Sequence, residues 1–137
     1  MVNLHDLTVP NNRLLRIIQH KPRDAKVFEL YFNYSTLPIN KLFQFQLLLL
    51  AHTLLYNVNS LPSTISRLKI INNEIHGHNT RSSLYFHRTL SSSSVGSKMW
   101  INIISKLWNA LPNEMKCICS FALFKKTMKS HLLVNDI

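Results

Sequence analysis

A mainly α-helical fold is what this sequence predicts: a small bundle with a long loop before two C-terminal helices. Three observations point there. Apolar residues recur at helical spacing in separate stretches, and prolines rather than glycines punctuate those stretches. Both glycines of the chain, Gly77 and Gly96, fall in the one stretch where that periodicity lapses. At 137 residues the chain is long enough for one domain with a core and short for two.

The elements follow in order. "NNRLLRIIQHKP" sets Leu14, Ile17 and Ile18 at i, i+3 and i+4, with Pro22 as a stop. Asp24 then stands where it would cap a second helix, "AKVFELYFNYS", whose Phe28, Tyr31 and Phe32 share a face. "TLPIN" breaks the chain before a Leu-rich helix that "NSLPS" closes near residue 60, and "STISRLKIIN" offers one more short helix. Residues 1–71 therefore read as one helical part. Within it, Leu42 to Val58 is the most apolar run, but Gln44, Gln46, His52, Thr53 and Asn57 interrupt it. A membrane span needs about 20 predominantly apolar residues, so a buried core helix is expected and no membrane is called for.

Residues 72–97 read as a surface loop or linker with the run Ser91 to Ser94, in which "SLYFHRT" allows one short strand. Residues 98–137 return to helix. Trp100, Ile103, Ile104, Leu107, Trp108 and Leu111 fall within an arc of about 140°, and Pro112 ends the run. Ser120 can cap the last helix, where Phe121, Phe124, Met128 and Leu132 fall within about 80° and Lys125, Lys126 and Lys129 adjoin them. The two helical parts and the loop between them are expected to make one folded unit.

Charge narrows the function. Sixteen Lys and Arg against six Asp and Glu give +10, which favours polyanionic partners. Residues 1–63 hold six basic and three acidic side chains, for +3, while residues 64–137 hold ten and three, for +7. The attraction is therefore expected through the second half. No charged-then-apolar leader opens the chain, and Cys117 and Cys119 stand too close together to staple distant segments. An intracellular protein, nuclear or cytoplasmic and not secreted, is the expectation.

Catalysis and metal binding find little support. Zinc needs four Cys or His ligands at characteristic spacings, whereas His76, His78, His87 and Cys117-x-Cys119 reproduce none of them. Surface histidines and partly buried thiols are the expectation, with no metal and no cofactor. The three aspartates, Asp6, Asp24 and Asp136, have no acidic neighbours to share a Mg²⁺, and no glycine loop cradles a phosphate. An autonomous enzyme is not expected, and neither is a small-molecule substrate. Nucleic-acid binding fits better: Arg81, Arg88, Lys98, Lys106, Lys125, Lys126 and Lys129 lie among Tyr85, Phe86, Trp100 and Trp108. Cations neutralise phosphates and exposed rings stack on bases. The apolar stripe nonetheless favours a core role for both tryptophans, and the terminal lysines suit a solvated face as well as a phosphate contact.

Several segments, taken in order, carry a resemblance: "NNRLLRII", then "LP" with a Leu-rich helix ending in "LLYNVNSLP", then "HGHNTRSS", "KLWNALPNEMK" and "SFALFKKTMKSHLL". The series, from about Asn12 to Leu133, resembles the C-terminal end of reverse transcriptases of non-LTR (LINE-type, jockey-like) retrotransposons. Its most specific pieces are His78-Asn79-Thr80-Arg81 and Leu107-Trp108-Asn109-Ala110-Leu111-Pro112. The resemblance implies the thumb, over residues 1–71, and the segment beyond it, with helices that lie along a template–primer duplex. It also implies a palm upstream, so the chain is expected to be a non-catalytic fragment of an RNA-directed DNA polymerase. Its implied partner is RNA or an RNA–DNA hybrid, for which the cations already picked out, Arg81, Arg88, Lys106, Lys125, Lys126 and Lys129, are the candidate contacts. Asn79 and Arg81 would fix a turn and meet a phosphate; alternatively, Arg81 pairs with Glu74 or caps a helix. Where the family has a glycine, often before proline, this chain has Ile104-Ser105, so the helix from Trp100 is expected to run unbroken. Two rival expectations stand beside this one: a decayed reading frame without function, and a helical protein–protein module that offers its Leu-rich helix to a partner.

Overall fold

The computed structural model describes residues 4–67, 85–87 and 99–134, and 74% of these are helical. Helices α1 (Leu4–Ile18), α2 (Val27–Asn33) and α3 (Ile39–Tyr56) come first. A 3₁₀ turn (Val58–Ser60) and a one-turn helix α4 (Ser63–Ser66) follow. Then come α5 (Trp100–Ala110), the short α6 (Asn113–Lys116) and α7 (Phe121–Val134). No strand occurs among the described residues. The mainly helical class is thus as expected, while most of the 72–97 loop lies outside the described residues.

Leu-Pro recurs as the punctuation. Pro38, Pro62 and Pro112 each follow a leucine, and each carbonyl receives the first helical bond of the next element: Leu42 N–H to Pro38, Ser66 N–H to Pro62, Lys116 N–H to Pro112. Proline disfavours helical backbone in the residue before it, so each Leu-Pro keeps its leucine out of helix and starts the next element; Leu111-Pro112 also ends α5 directly.

The chain divides into two compact units, Met1–Phe45 with Met128–Ile137, and Gln46–Thr127. In the first unit α1 departs from expectation twice. It begins at Leu4 and runs through Pro10, although proline has no N–H for the Asp6 carbonyl. Asp6 and Pro10 are both exposed, so water can serve that carbonyl. The expected apolar stripe is also not the inward face: Leu14, Ile17 and Ile18 are exposed. The side turned toward α2 is instead polar. Tyr31 Oη accepts a bond from Asn11 Nδ2 (2.8 Å) and donates one to Asn12 Oδ1 (2.5 Å), and Gln19 Nε2 donates to Leu30 O (2.7 Å).

Asp24 does not cap α2. Lys26 occupies the N-cap position, without a side-chain bond. On α2, Leu30 and Tyr31 are buried, while Phe28 and Phe32 stack on each other in solvent with centroids 5.5 Å apart. Both α1 and α2 end in Schellman motifs. Lys21 N–H reaches Arg16 O and His20 N–H reaches Ile17 O; Thr36 N–H reaches Tyr31 O and Ser35 N–H reaches Phe32 O. The left-handed position that usually takes glycine is held by His20 (φ 51°) and Ser35 (φ 48°).

The second unit is built on an aromatic core. Trp108, Phe124 and Phe86 are fully buried, with Phe86 edge-on to Trp108 (6.1 Å, 82°) and Phe124 beside it at 5.7 Å. Leu47, Leu48, Leu49 and Leu54 of α3 are buried, so those leucines of the Leu-rich helix are core and offer no surface to a partner. No described helix is long and apolar enough to cross a membrane.

Candidate nucleic-acid interface

On α7 the buried stripe lies where the apolar spacing puts it. Phe124, Met128 and Leu132 are buried; Phe121, at the helix start, is 40% exposed. Ser120 precedes the helix and its carbonyl accepts the Phe124 N–H (2.9 Å). Lys125, Lys126 and Lys129 are exposed, within an arc of about 100°, on a helix that carries no acidic residue. Lys106 is exposed on α5, which likewise carries no acid. Of the remaining expected contacts and motif residues, Arg81, Arg88, His78, Asn79 and Thr80 lie outside the described residues.

The Leu-Trp-Asn-Ala-Leu-Pro segment has a structural use. Trp108 fills the core, and Pro112 is the N-cap of α6. Asn109 acts as a surrogate strand for the extended Tyr85–His87 piece: its Oδ1 accepts the Phe86 N–H (3.0 Å) and its Nδ2 donates to Phe86 O (2.9 Å). One amide side chain thereby satisfies both backbone groups of a buried residue. One turn back, Ser105 Oγ lies 2.9 Å from Ile101 O and 3.4 Å from His87 O. Ser105 is buried, and α5 runs through it without a break.

Three residues that the sequence did not single out complete this region. Lys116 is buried; its Nζ donates to Asn109 O (3.0 Å) and stands 3.8 Å from the centre of the Tyr85 ring. An ammonium on a carbonyl of the last turn is the favourable arrangement at a helix C-terminus, and the ring face adds a cation–π contact. This lysine is therefore internal wiring and offers no charge to a ligand. Tyr56 Oη donates to Lys116 O (2.6 Å), and burial, with the Cys119 and Cys117 thiols adding, raises its phenol above the ordinary value. The thiols themselves are exposed, where partly buried ones were expected.

His52 is the third. It is fully buried against Phe124 (4.4 Å), Tyr56 (4.8 Å) and Phe121 (5.8 Å). Its Nε2 is 2.7 Å from Ile118 O, so Nε2 carries the proton, and its Nδ1 has no partner. Protonating Nδ1 would bury a charge with nothing to receive it, and burial accordingly lowers the pKa below 6.5 despite the Ile118 bond, which acts the other way. A single aromatic-flanked histidine inside a Leu-rich helix gave no sequence signal beyond an interrupted apolar run.

Among the described residues no group of three His, Cys, Asp or Glu converges on a metal-sized site. The exposed edges of α5 and α7 carry lysines and no acid, while Lys116, Asn109 and His52 are held by hydrogen bonds to the chain. No family model, curated protein or solved structure matches this chain.

Proposed function

We propose that this chain is a nucleic-acid-associating, non-catalytic piece of a non-LTR retrotransposon reverse transcriptase, corresponding to its thumb and the segment beyond. In this reading it works inside the cell and holds RNA or an RNA–DNA hybrid. The observation that carries the reading is the cationic edge of α7, with Lys125, Lys126 and Lys129 exposed beside a buried stripe and no acid on the helix. Ammonium groups set along one edge can each replace a condensed counterion on a phosphate backbone. Lys106 on α5 adds a fourth exposed cation.

The exposed charge is also what a merely solvated helix would carry, so the test must separate the two. Fluorescence anisotropy with an RNA–DNA hybrid, comparing the natural chain with Lys125→Gln/Lys126→Gln/Lys129→Gln, does so. Loss of three phosphate contacts weakens binding by roughly 100-fold or more at low salt. Equal affinity of the two chains, with unchanged circular dichroism, would reduce the lysines to solvation and end the proposal.

A further inference from the structure

The first unit carries a basic site that the charge balance of the sequence hides. A cleft of about 800 Å³ opens on α1 and the turn after it, lined by Arg13, Arg16, Lys21 and Arg23 together with His20. Val9 and Ile17 supply its apolar part, and none of the described residues lining it is acidic. Along α1, residues 9, 13, 16 and 17 fall within about 100° of arc, so one helix face makes one wall, and His20 follows in the turn after it. Four permanent cations around a single cavity repel one another, and like charges a turn apart weaken a helix. Nothing in the cleft offsets that.

Arg16 carries the inference further. One of its terminal nitrogens donates to Ala25 O (3.3 Å), which anchors the guanidinium, while its Nε is buried and has no acceptor. A guanidinium N–H shut away from water without a partner is costly, and an acceptor-rich anion that draws the guanidinium toward the cleft would relieve it. The left-handed His20 closes α1 in a Schellman turn and so brings Lys21 and Arg23 round to the cleft. Arginine forks pair with the oxygens of a phosphate two at a time, and its charge suits a cleft of four cations.

We propose that this α1 cleft binds a phosphoryl group, with Arg13, Arg16 and Arg23 as its principal donors. The site lies outside the lysines of α7, and its existence does not depend on the polymerase reading. Three sources of the group are separable: free inorganic phosphate, the 5′-phosphate of an oligonucleotide, and the headgroup of phosphatidic acid.

The test is titration of the full chain with inorganic phosphate, following the arginine Nε–Hε resonances by NMR, against chloride at matched ionic strength. The expected result is a saturable shift of the Arg16 signal with phosphate only. Arg13→Gln/Arg23→Gln, two exposed positions, should weaken it by roughly tenfold or more, and Arg13→Lys/Arg23→Lys should recover part of it. Lys125→Gln/Lys126→Gln/Lys129→Gln should leave the phosphate response unchanged, so that failure of the nucleic-acid reading and failure of this one give different results. Displacement of phosphate by a 5′-phosphorylated but not a 5′-hydroxyl oligonucleotide assigns the nucleic-acid source. Displacement only by phosphatidic acid vesicles assigns the lipid one, and displacement by neither leaves free phosphate as the ligand. The same drift in chloride, or no shift at all, overturns the proposal.

Discussion

The two compact units solve the packing problem in opposite ways. The second buries Trp108, Phe86, Phe124 and His52 and satisfies the backbone of Phe86 with a single asparagine. In the first, α1 meets α2 through Asn11, Asn12, Gln19 and Tyr31, while Leu14, Ile17, Ile18, Phe28 and Phe32 remain exposed. It also places a proline within a helix and non-glycine residues at two left-handed helix ends. The described part of the second unit is held by buried rings and a satisfied backbone; the first holds local conflicts that substitution can relieve. Mutations should therefore destabilise the second unit and, at chosen positions, stabilise the first.

The largest effect belongs to Trp108→Ala. Removing a fully buried indole from between Phe86 and Phe124 should cost about 3–5 kcal/mol. In contrast, Ile17→Ala, at an exposed site, should change stability by less than about 0.5 kcal/mol. Urea denaturation of both variants measures the contrast directly.

Asn109→Ala comes next, at about 2 kcal/mol or more, because it strands both the N–H and the C=O of a buried residue. Asn109→Asp sharpens the point. A carboxylate can accept the Phe86 N–H, but its second oxygen would face the Phe86 carbonyl, so above the carboxylate pKa it should do no better than alanine. An aspartate variant as stable as the natural chain at pH 7 would refute the surrogate-strand account.

In the first unit the signs reverse. Pro10→Ala should restore a donor to the Asp6 carbonyl and stabilise α1 by about 2 kcal/mol. Ser35→Gly, relieving a left-handed residue at the end of α2, should contribute about 0.5–1 kcal/mol. Native-state amide exchange, read separately for α1–α2 and for α5, should show both gains in the first unit.

How legible all this was depends on which forces local residues report. Helix existence was readable because Leu-Pro pairs and apolar spacing act within a few residues: α5 and α7 stand where the periodicity of Trp100–Leu111 and Phe121–Leu132 put them. The inward face of α1 was not. It is decided by where Tyr31 presents its hydroxyl, and a stripe of Leu14, Ile17 and Ile18 outranks Asn11 and Asn12 on any local reckoning. Asp24 was a sound cap by residue type, but the turn placed Lys26 at the position. The lysines of α7 were legible as an exposed edge, while Lys116, equally basic in sequence, is buried on a carbonyl and a ring. The α1 cleft is not legible in the net charge of each half of the chain, because a sum of charges carries no information about which side chains share a face.

The smallest expected effect is a pH dependence. In the fold, His52 is held below the imidazole value of 6.5 by burial, so the unfolded chain binds the proton more readily. Stability is then fully present above about pH 6.5 and falls as the pH drops through the window between 6.5 and the lowered folded value. Urea midpoints from pH 7.5 to 5 should decline in the natural chain and decline less in His52→Leu. Equal declines would assign the acid sensitivity to other groups.

The central claim is that the exposed lysines of α7 and α5 meet a phosphate backbone, and the salt dependence of hybrid binding tests it most directly. With three to five phosphate contacts, the logarithm of the association constant for an RNA–DNA hybrid should fall against log salt with a slope near roughly −3 to −4. Lys125→Gln/Lys126→Gln/Lys129→Gln should flatten that slope by roughly 2–3. Absence of binding at low salt, or a slope that the triple substitution leaves untouched, would contradict the account.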